Sequence, residues 1–316
     1  MSAVQQFGKV GVLYGGRSAE REVSLMSGQG VHDALRRSGV DAHLFDTGTQ
    51  ALEELIAAKF DRVFIALHGR HGEDGVMQGV MEALDLPYTG SAPLASALAM
   101  DKIMTKRVWL HEGIPTPEFR ELRADSSLRE AAGALGLPLI MKPPHEGSTM
   151  GVTKVTSVDQ MKEAYALAAE FDEVVLAERF VQGRELTVAV LGRGDQARAL
   201  PIVEIKAPDG NYDYQNKYFS DETQYLCPAE LDPALTARIQ DICERAYRAV
   251  GCEGWGRVDL MLSADDEPYV LEVNTSPGMT GHSLVPMAAK ASGMSYEALC
   301  LEILKDARCK VAVKTK

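Results

Sequence analysis

No apolar run in this chain approaches the roughly 20 residues that a helix needs to cross a bilayer. The opening residues, MSAVQQFGKVGVLYGG, lack the charged-then-apolar pattern of a secretory leader. Excess positive charge is missing too: 33 Lys and Arg against 45 Asp and Glu give a net charge of −12. Nucleic acids and anionic membranes attract basic surfaces, so neither is an expected partner, although local lysines can still hold a nucleotide. The five cysteines are odd in number and include no CxxC spacing. That argues against a disulfide framework and a zinc site and leaves free thiols in a reducing compartment. Neither GxxxxGK[ST] nor GxGxxG occurs, so those two phosphate-loop patterns are excluded. A soluble cytoplasmic protein is the expectation.

What is present is apolar material for a large core: 46% of the 316 residues are hydrophobic, enough for two or three domains. KVGVLY at 9–14, AHLF at 42–45 and RVFIAL at 62–67 read as buried strands. Helical patterns at 19–37, 50–59 and 76–85 alternate with them. Such alternation predicts a parallel sheet with helices on its faces and a site beyond the strand ends. GGRSAERE and HGRHGEDG occupy those ends. A helical stretch at 93–112 leads to a second unit with strands at 137–142 and 174–181 around a helix at 157–170. Past Gly183 the pattern is mainly strand. The polar segment 207–225 is long for a plain loop and is a candidate lid. A helix at 233–250 is signed by Asp232 as cap, Pro233 in its first turn and Gly251 at its end.

The stretch LEVNTSPGMT, 271–280, places Glu272 and Asn274 in an otherwise apolar strand. RVDLML and PYVLEVN flank the turn Ala264-Asp265-Asp266-Glu267. With a four-residue hairpin loop, Ser263 faces Pro268, Asp259 faces Glu272 and Arg257 faces Asn274. These four polar residues then share one face. Facing carboxylates about 5 Å apart repel by about 3 kcal/mol at an effective dielectric near 20. Arg257 offsets part of this, and a divalent cation would offset more. All-oxygen ligands select magnesium or manganese over zinc. A solvated hairpin face is the alternative, and the apolar flanks argue against it. Lys142 ends a strand and precedes the glycine-bracketed loop Glu146-Gly147-Ser148-Thr149-Met150-Gly151. Small residues let backbone N–H groups approach phosphate, and the lysine adds charge.

Together these features resemble the D-alanine–D-alanine ligase family of the ATP-grasp superfamily. The resemblance spans nearly the whole chain through GGRSAEREVSL, ALHGRHGEDG, DLPYTGS, AMDK, MKPPHEGSTMG, YDYQNKYFSDETQY, GWGRVDLML and LEVNTSPGMTGHSLVPMAA. It implies an α/β fold of three units: an N-terminal Rossmann-like parallel-sheet domain at 1–91, a central ATP-grasp domain at 92–182 and a C-terminal one at 183–316. It further implies ATP, two Mg2+ ions (or Mn2+), two D-alanine molecules and a homodimer.

By the same resemblance, Asp259, Glu272 and Asn274 match metal ligands. Lys102 and Lys142 match phosphate-binding lysines, and Lys217 in the lid matches one reaching the terminal phosphate. Glu178, Arg179 and Val181 match the adenine hinge, and Glu185 the ribose contact. Arg257 and the Gly278 N–H match an oxyanion-binding pair. Glu20, with His68 nearby, matches the holder of the first substrate's ammonium, and Ser148 and Tyr218 its hydrogen-bonding partners. Ser283 and Leu284 match the site of the second substrate's carboxylate. Pro144-His145 and Thr149 depart from the Ser-Arg and Ser common in relatives, and His145 is given no role. Arg179 stands where lysine is common. Tyr218 instead of Phe is similar to the dipeptide-forming branch. Acceptors such as D-lactate or D-serine remain alternatives, as does a nucleotide-binding regulator that has lost catalysis.

Overall fold

A computed structural model describes residues 7–147, 150–207 and 223–311. Ser148, Lys217 and Tyr218 lie outside the described residues, as does most of the candidate lid.

β1 (Lys9–Tyr14) is buried along its middle because helices cover both faces. It lies between β2 (Asp41–Asp46) and β3 (Arg62–Ile65) in the parallel order β2-β1-β3. α1 (Arg21–Arg37) and α2 (Leu52–Ala58) form the crossovers that parallel neighbours require. α3 (Val76–Ala83) follows. The stretch expected as one helix is two, α4 (Pro93–Met100) and α5 (Lys102–His111). Asp101 breaks it by taking an extended ψ of 98°. Its carboxylate then caps α5, accepting from the Ile103 and Met104 N–H groups at 2.9 and 3.0 Å.

The second sheet is antiparallel, in the order β4-β7-β5-β6. Its elements are β4 (Phe119–Leu122), β5 (Leu139–Lys142), β6 (Thr153–Val155) and β7 (Val175–Arg179). α6 (Leu128–Leu135) and α7 (Met161–Ala169) cover one face. β4 has no visible period in the sequence because it is an edge strand with one buried residue, Leu122.

The third sheet runs β11-β10-β8-β12-β13, with β9 on β8. It comprises β8 (Gly183–Arg193), β9 (Arg198–Ala199), β10 (Val203–Lys206), β11 (Gln224–Leu226), β12 (Glu253–Ser263) and β13 (Pro268–Asn274). α8 (Pro233–Ala249) is capped by Asp232, which accepts from the Ala234 N–H at 2.8 Å, and Gly251 follows it at φ +81°. α9 (Leu284–Ala291) and α10 (Tyr296–Lys305) fold back onto the first sheet. One core therefore joins the first and third sheets: Val12, Val31, Phe64, Trp255, Val285 and Leu304 are all buried in it. Phe64 and Trp255 meet with ring centroids 6.0 Å apart.

The β12–β13 hairpin differs from expectation at its turn and agrees at its open end. The turn is one residue shorter than four: Ser263 N–H donates to Glu267 O at 3.0 Å, and Asp266 takes a left-handed φ of +57°. Leu262, not Ser263, therefore faces Pro268. A bulge between Asp259 and Leu260 leaves Leu271 as the extra residue and restores the register, so Asp259 faces Glu272 and Arg257 faces Asn274.

Trp109 of α5 is fully buried, and its Nε1 donates to the Ala246 carbonyl of α8 at 3.0 Å. Trp109→Phe loses that bond and leaves a void, so we expect a loss of about 1–3 kcal/mol in urea unfolding. An unchanged midpoint would contradict this role.

Candidate active site

The face shared by β12 and β13 carries alternating charges. Arg257 grips Asp259 with two hydrogen bonds, Nε to Oδ1 at 2.8 Å and Nη2 to Oδ2 at 2.7 Å. Thr187 on β8 lies opposite Asp259, and its hydroxyl donates to Oδ1 at 2.5 Å. Across the hairpin Glu272 pairs with Lys102 Nζ at 3.3 Å. Asn274 Oδ1 accepts from the Ser276 N–H at 3.1 Å, which fixes the turn that follows. Each carboxylate thus has a cation beside it. No group of three or more His, Cys, Asp or Glu side chains suited to a metal occurs among the described residues. The candidate metal set is two carboxylates and a carboxamide, all oxygen donors, and that chemistry fits a hard divalent cation.

Lys102 opens α5, and its Nζ also donates to Glu146 O at 2.8 Å. This draws the loop after β5 toward the hairpin face. Gly147 lets that loop approach Glu20, since a Cβ there would lie 3.3 Å from Glu20 Oε2. Glu20 itself ends the loop before α1. A cavity of about 40 Å3 is lined by Glu73, Lys102, Gly147, Glu272 and Asn274. Glu73 is buried, with Oε1 accepting from the Gly69 N–H at 3.0 Å. Burial, with the neighbouring charge of Glu20, pushes its carboxyl up to about 8.

His68 follows β3 and uses both ring nitrogens: Nδ1 lies 2.7 Å from Ser276 O and Nε2 3.0 Å from Ser27 Oγ. Burial lowers its pKa. A neutral imidazole with its proton on Nδ1 satisfies both contacts. Ser27 Oγ also accepts from the Met279 N–H at 3.0 Å. The chain after β13 is thereby tied to α1 and β3. It lines a second cavity of about 400 Å3 with Arg257, Gly278, Ser283 and Leu284. A Cβ on Gly278 would lie 2.8 Å from Ser283 Oγ, so a side chain there would displace the Ser283 hydroxyl. Ser283 Oγ accepts from the Thr280 N–H at 2.9 Å, and Leu284 begins α9.

On the second sheet Lys142 Nζ meets Glu178 Oε1 at 2.5 Å, and Lys106 Nζ meets Glu178 Oε2 at 2.8 Å. Lys106 is fully enclosed and also donates to Thr116 Oγ1 at 2.6 Å. Burial opposes the charge of Glu178, yet the two lysines overcome it and hold its carboxyl down at about 2. Burial, aided by Lys142, pushes the Lys106 ammonium down to about 8. Burial also opposes the Lys142 charge, but Glu178 and then Glu272 outweigh it and raise its pKa. The Arg179 N–H donates to Glu118 O at 2.8 Å, and its guanidinium lies 5.4 Å from the Tyr269 ring centre. Val181 is buried, and Glu185 on β8 faces Ile205 and Met261. Arg179, Val181 and Glu185 line neither cavity.

Sequence reasoning missed Lys106, Glu73 and Thr187. Lys106 lies one helical turn beyond Lys102, a visible spacing. Glu73 sits in the quoted HGRHGEDG loop. Thr187 reaches Asp259 only through the β8–β12 pairing, which no local pattern reveals.

Opposed carboxylates held beside cations, next to a lysine-flanked glycine loop, suit a protein that handles phosphate. Residues 108–305 match the family model described as D-ala D-ala ligase C-terminus, and residues 45–91 the model for its N-terminus. The D-alanine--D-alanine ligase of Bordetella avium is 68% identical over 307 residues, covering 97% of each chain. The enzyme of the same name from Bordetella pertussis is 67% identical, again over 97% of each chain. The crystal structure of the Bacillus anthracis D-alanine--D-alanine ligase has a TM-score of 0.83 at 34% identity, covering 95% of this chain and 97% of that one. The same enzyme complexed with ATP has a TM-score of 0.82 at 34% identity, with 95% and 96% covered. The chain belongs to the D-alanine–D-alanine ligase family, and its fold is the ATP-grasp fold of that family.

Glu178→Gln would leave two buried lysines without their counter-charge, so we expect a loss of about 3–5 kcal/mol near pH 7. A carboxyl held at about 2 in the fold contributes stability above its unfolded value, and that contribution is lost as pH falls toward 2. The gap between wild type and variant in urea unfolding should therefore shrink with acidification below about pH 4.5. A gap independent of pH would contradict the pairing.

Proposed function

We propose that this protein joins two D-alanine molecules into D-alanyl-D-alanine with ATP, by way of a D-alanyl phosphate, and so supplies peptidoglycan synthesis. The observation that carries the reading is the register that sets Asp259 against Glu272 and Arg257 against Asn274 in a chain 68% identical to a ligase of that name.

A carboxylate is a poor electrophile. In the proposed reaction an oxygen of the first D-alanine attacks the γ-phosphorus, ADP departs, and an acyl phosphate remains. The amine of the second D-alanine attacks the acyl carbon, loses a proton, and phosphate leaves as the amide forms. Glu20 holds the first ammonium, with Ser148 and Tyr218 as hydrogen-bonding partners and His68 fixing the loop beside it. Lys102, Lys142 and Lys217 offset phosphate charge. Arg257 and the Gly278 N–H receive the tetrahedral oxyanion, and their shared position on the larger cavity supports this. Ser283 and the start of α9 at Leu284 take the second carboxylate, since a helix start presents unpaired N–H groups. Glu178, Arg179 and Val181 form the adenine side, and Glu185 the ribose contact. Asp259, Glu272 and Asn274 would hold Mg2+, or Mn2+, which when bound neutralises phosphate charge. Segment 207–225 serves as the lid that keeps water from the acyl phosphate.

The proposed units are 1–91, 92–182 and 183–316; each sheet draws its strands from one of them, while α4 and α5 pack into the core of the third sheet and α9 and α10 into that of the first. A homodimer rests on the family resemblance alone. A cytoplasmic location is supported by that resemblance and by five free cysteines. No helix among the described residues is long and apolar enough to cross a membrane. An acceptor other than D-alanine, such as D-lactate or D-serine, is the second reading, and Tyr218 favours the dipeptide.

Phosphate release from ATP should require both magnesium and D-alanine. Glu272→Gln should lower turnover by at least about 100-fold, the scale of losing a group that supports phosphoryl transfer, with the circular dichroism spectrum unchanged. Near-normal turnover of that variant at saturating magnesium would contradict its role. Mass detection of the product formed from D-alanine, D-lactate and D-serine mixtures should find the dipeptide dominant. A dominant ester or mixed dipeptide would favour the second reading.

A further inference from the structure

The loop between β5 and the glycine run is held from three directions. Lys102 of α5 supplies two contacts, its N–H to Pro144 O at 3.2 Å and its Nζ to Glu146 O at 2.8 Å. Arg70, from the segment after β3, donates through Nε to Glu146 Oε1 at 2.6 Å. His145 makes the third attachment. Its Nδ1 lies 2.5 Å from Asp172 Oδ2, in the turn after α7, and its Nε2 lies 3.4 Å from Asp101 Oδ2. Arg70 Nη2 stands 4.0 Å from the same Asp172 oxygen.

Both ring nitrogens of His145 therefore face carboxylates. A carboxylate at neutral pH only accepts, and a neutral imidazole donates from one nitrogen alone. Only the imidazolium presents an N–H and a positive charge to both carboxylates. Asp101 is also the cap of α5, its other oxygen accepting the Ile103 and Met104 N–H groups. The imidazolium thus joins the loop to the cap of the helix whose first residue is Lys102.

We propose that His145 is a positioning residue for the ATP reaction: as an imidazolium between Asp101 and Asp172 it fixes the 143–147 loop against the start of α5, and so sets Lys102 and Gly147 for the nucleotide phosphates. The inference rests on the reading of that loop as the phosphate loop. His145 faces Asp101, the cap before α5, and Asp172, in the turn after α7; Arg70 stands beside Asp172, and Lys102 and Glu146 are the chain neighbours of Asp101 and His145. The nearby Asp101 carboxylate, followed by the hydrogen-bonded Asp172, raises the His145 pKa above the usual imidazole value against partial burial. A raised pKa gives the sign. The clamp is complete below about pH 6.5 and weakens as pH climbs through the raised value.

The test is the KM for ATP at saturating D-alanine and magnesium, from about pH 6 to about pH 9, a span bracketing imidazole titration. For wild type, KM should rise by about tenfold across the range, the scale of losing one charge-assisted hydrogen bond. His145→Gln should show the high KM at every pH, with the KM for D-alanine unchanged. His145→Arg, which keeps a charge, should restore a low KM and flatten the profile. Melting temperatures of the variants separate this from a folding defect. His145→Gln with the wild-type KM and profile would overturn the proposal. Lys142→Ala distinguishes the two levels: an unaltered ATP KM there would overturn the phosphate-loop reading itself, whereas a raised one beside a wild-type-like His145→Gln would overturn only the role of His145.

Discussion

Two carboxylates that face each other across a strand pair must be neutralised, and much of this molecule is arranged around that constraint. Asp259 and Glu272 are neighbours in the β12–β13 ladder. Arg257 answers Asp259 from two positions along the same strand, where side chains share a face. Lys102 answers Glu272 from the start of a helix far away in sequence. The break at Asp101 places that lysine at the helix start, and the same break binds the glycine loop. In the proposed reaction a polyphosphate would thus meet a face with its cations already in place, which lowers the reorganisation that charge transfer would otherwise demand.

The neighbouring parts extend the same logic. Glu178 sits between Lys142 and Lys106, so a buried pair of lysines and one carboxylate leaves an excess positive charge beside the glycine loop. His68 and Ser27 tie the segment after β13 to the first sheet, and the core shared by the first and third sheets makes that tie rigid. The cavity lined by Arg257, Gly278 and Ser283 consequently has a wall from each side of the fold. Within the D-alanine–D-alanine ligase family, such a wall suits a reaction that joins two separate molecules.

Much of this was legible in the sequence, because long periodic elements announce themselves. β1, α1 and α8 carry apolar periods and clear stop signals, and the interrupted strand LEVN exposed its own anomaly. Where interactions are local, as in the two-residue spacing of Arg257 and Asp259, the reading extended to the site. Non-local pairing was the limit. The contact of Thr187 with Asp259, and that of Lys106 with Glu178, depend on how strands and helices meet in space. The hairpin shows both sides: the turn was misjudged by one residue, and the bulge at Leu271 restored the register at the charged end. Edge strand β4 left no pattern because only one of its residues is buried.

In the proposed reaction this charged face directs a phosphoryl group from ATP onto a D-alanine carboxylate. Turnover with D-alanine carrying oxygen-18 in its carboxylate, followed by mass analysis of the phosphate released, tests it most directly. The expected result is one labelled oxygen in the phosphate for each dipeptide formed, because the acyl phosphate passes its bridging oxygen to the leaving group. Unlabelled phosphate accompanying normal dipeptide formation would contradict it.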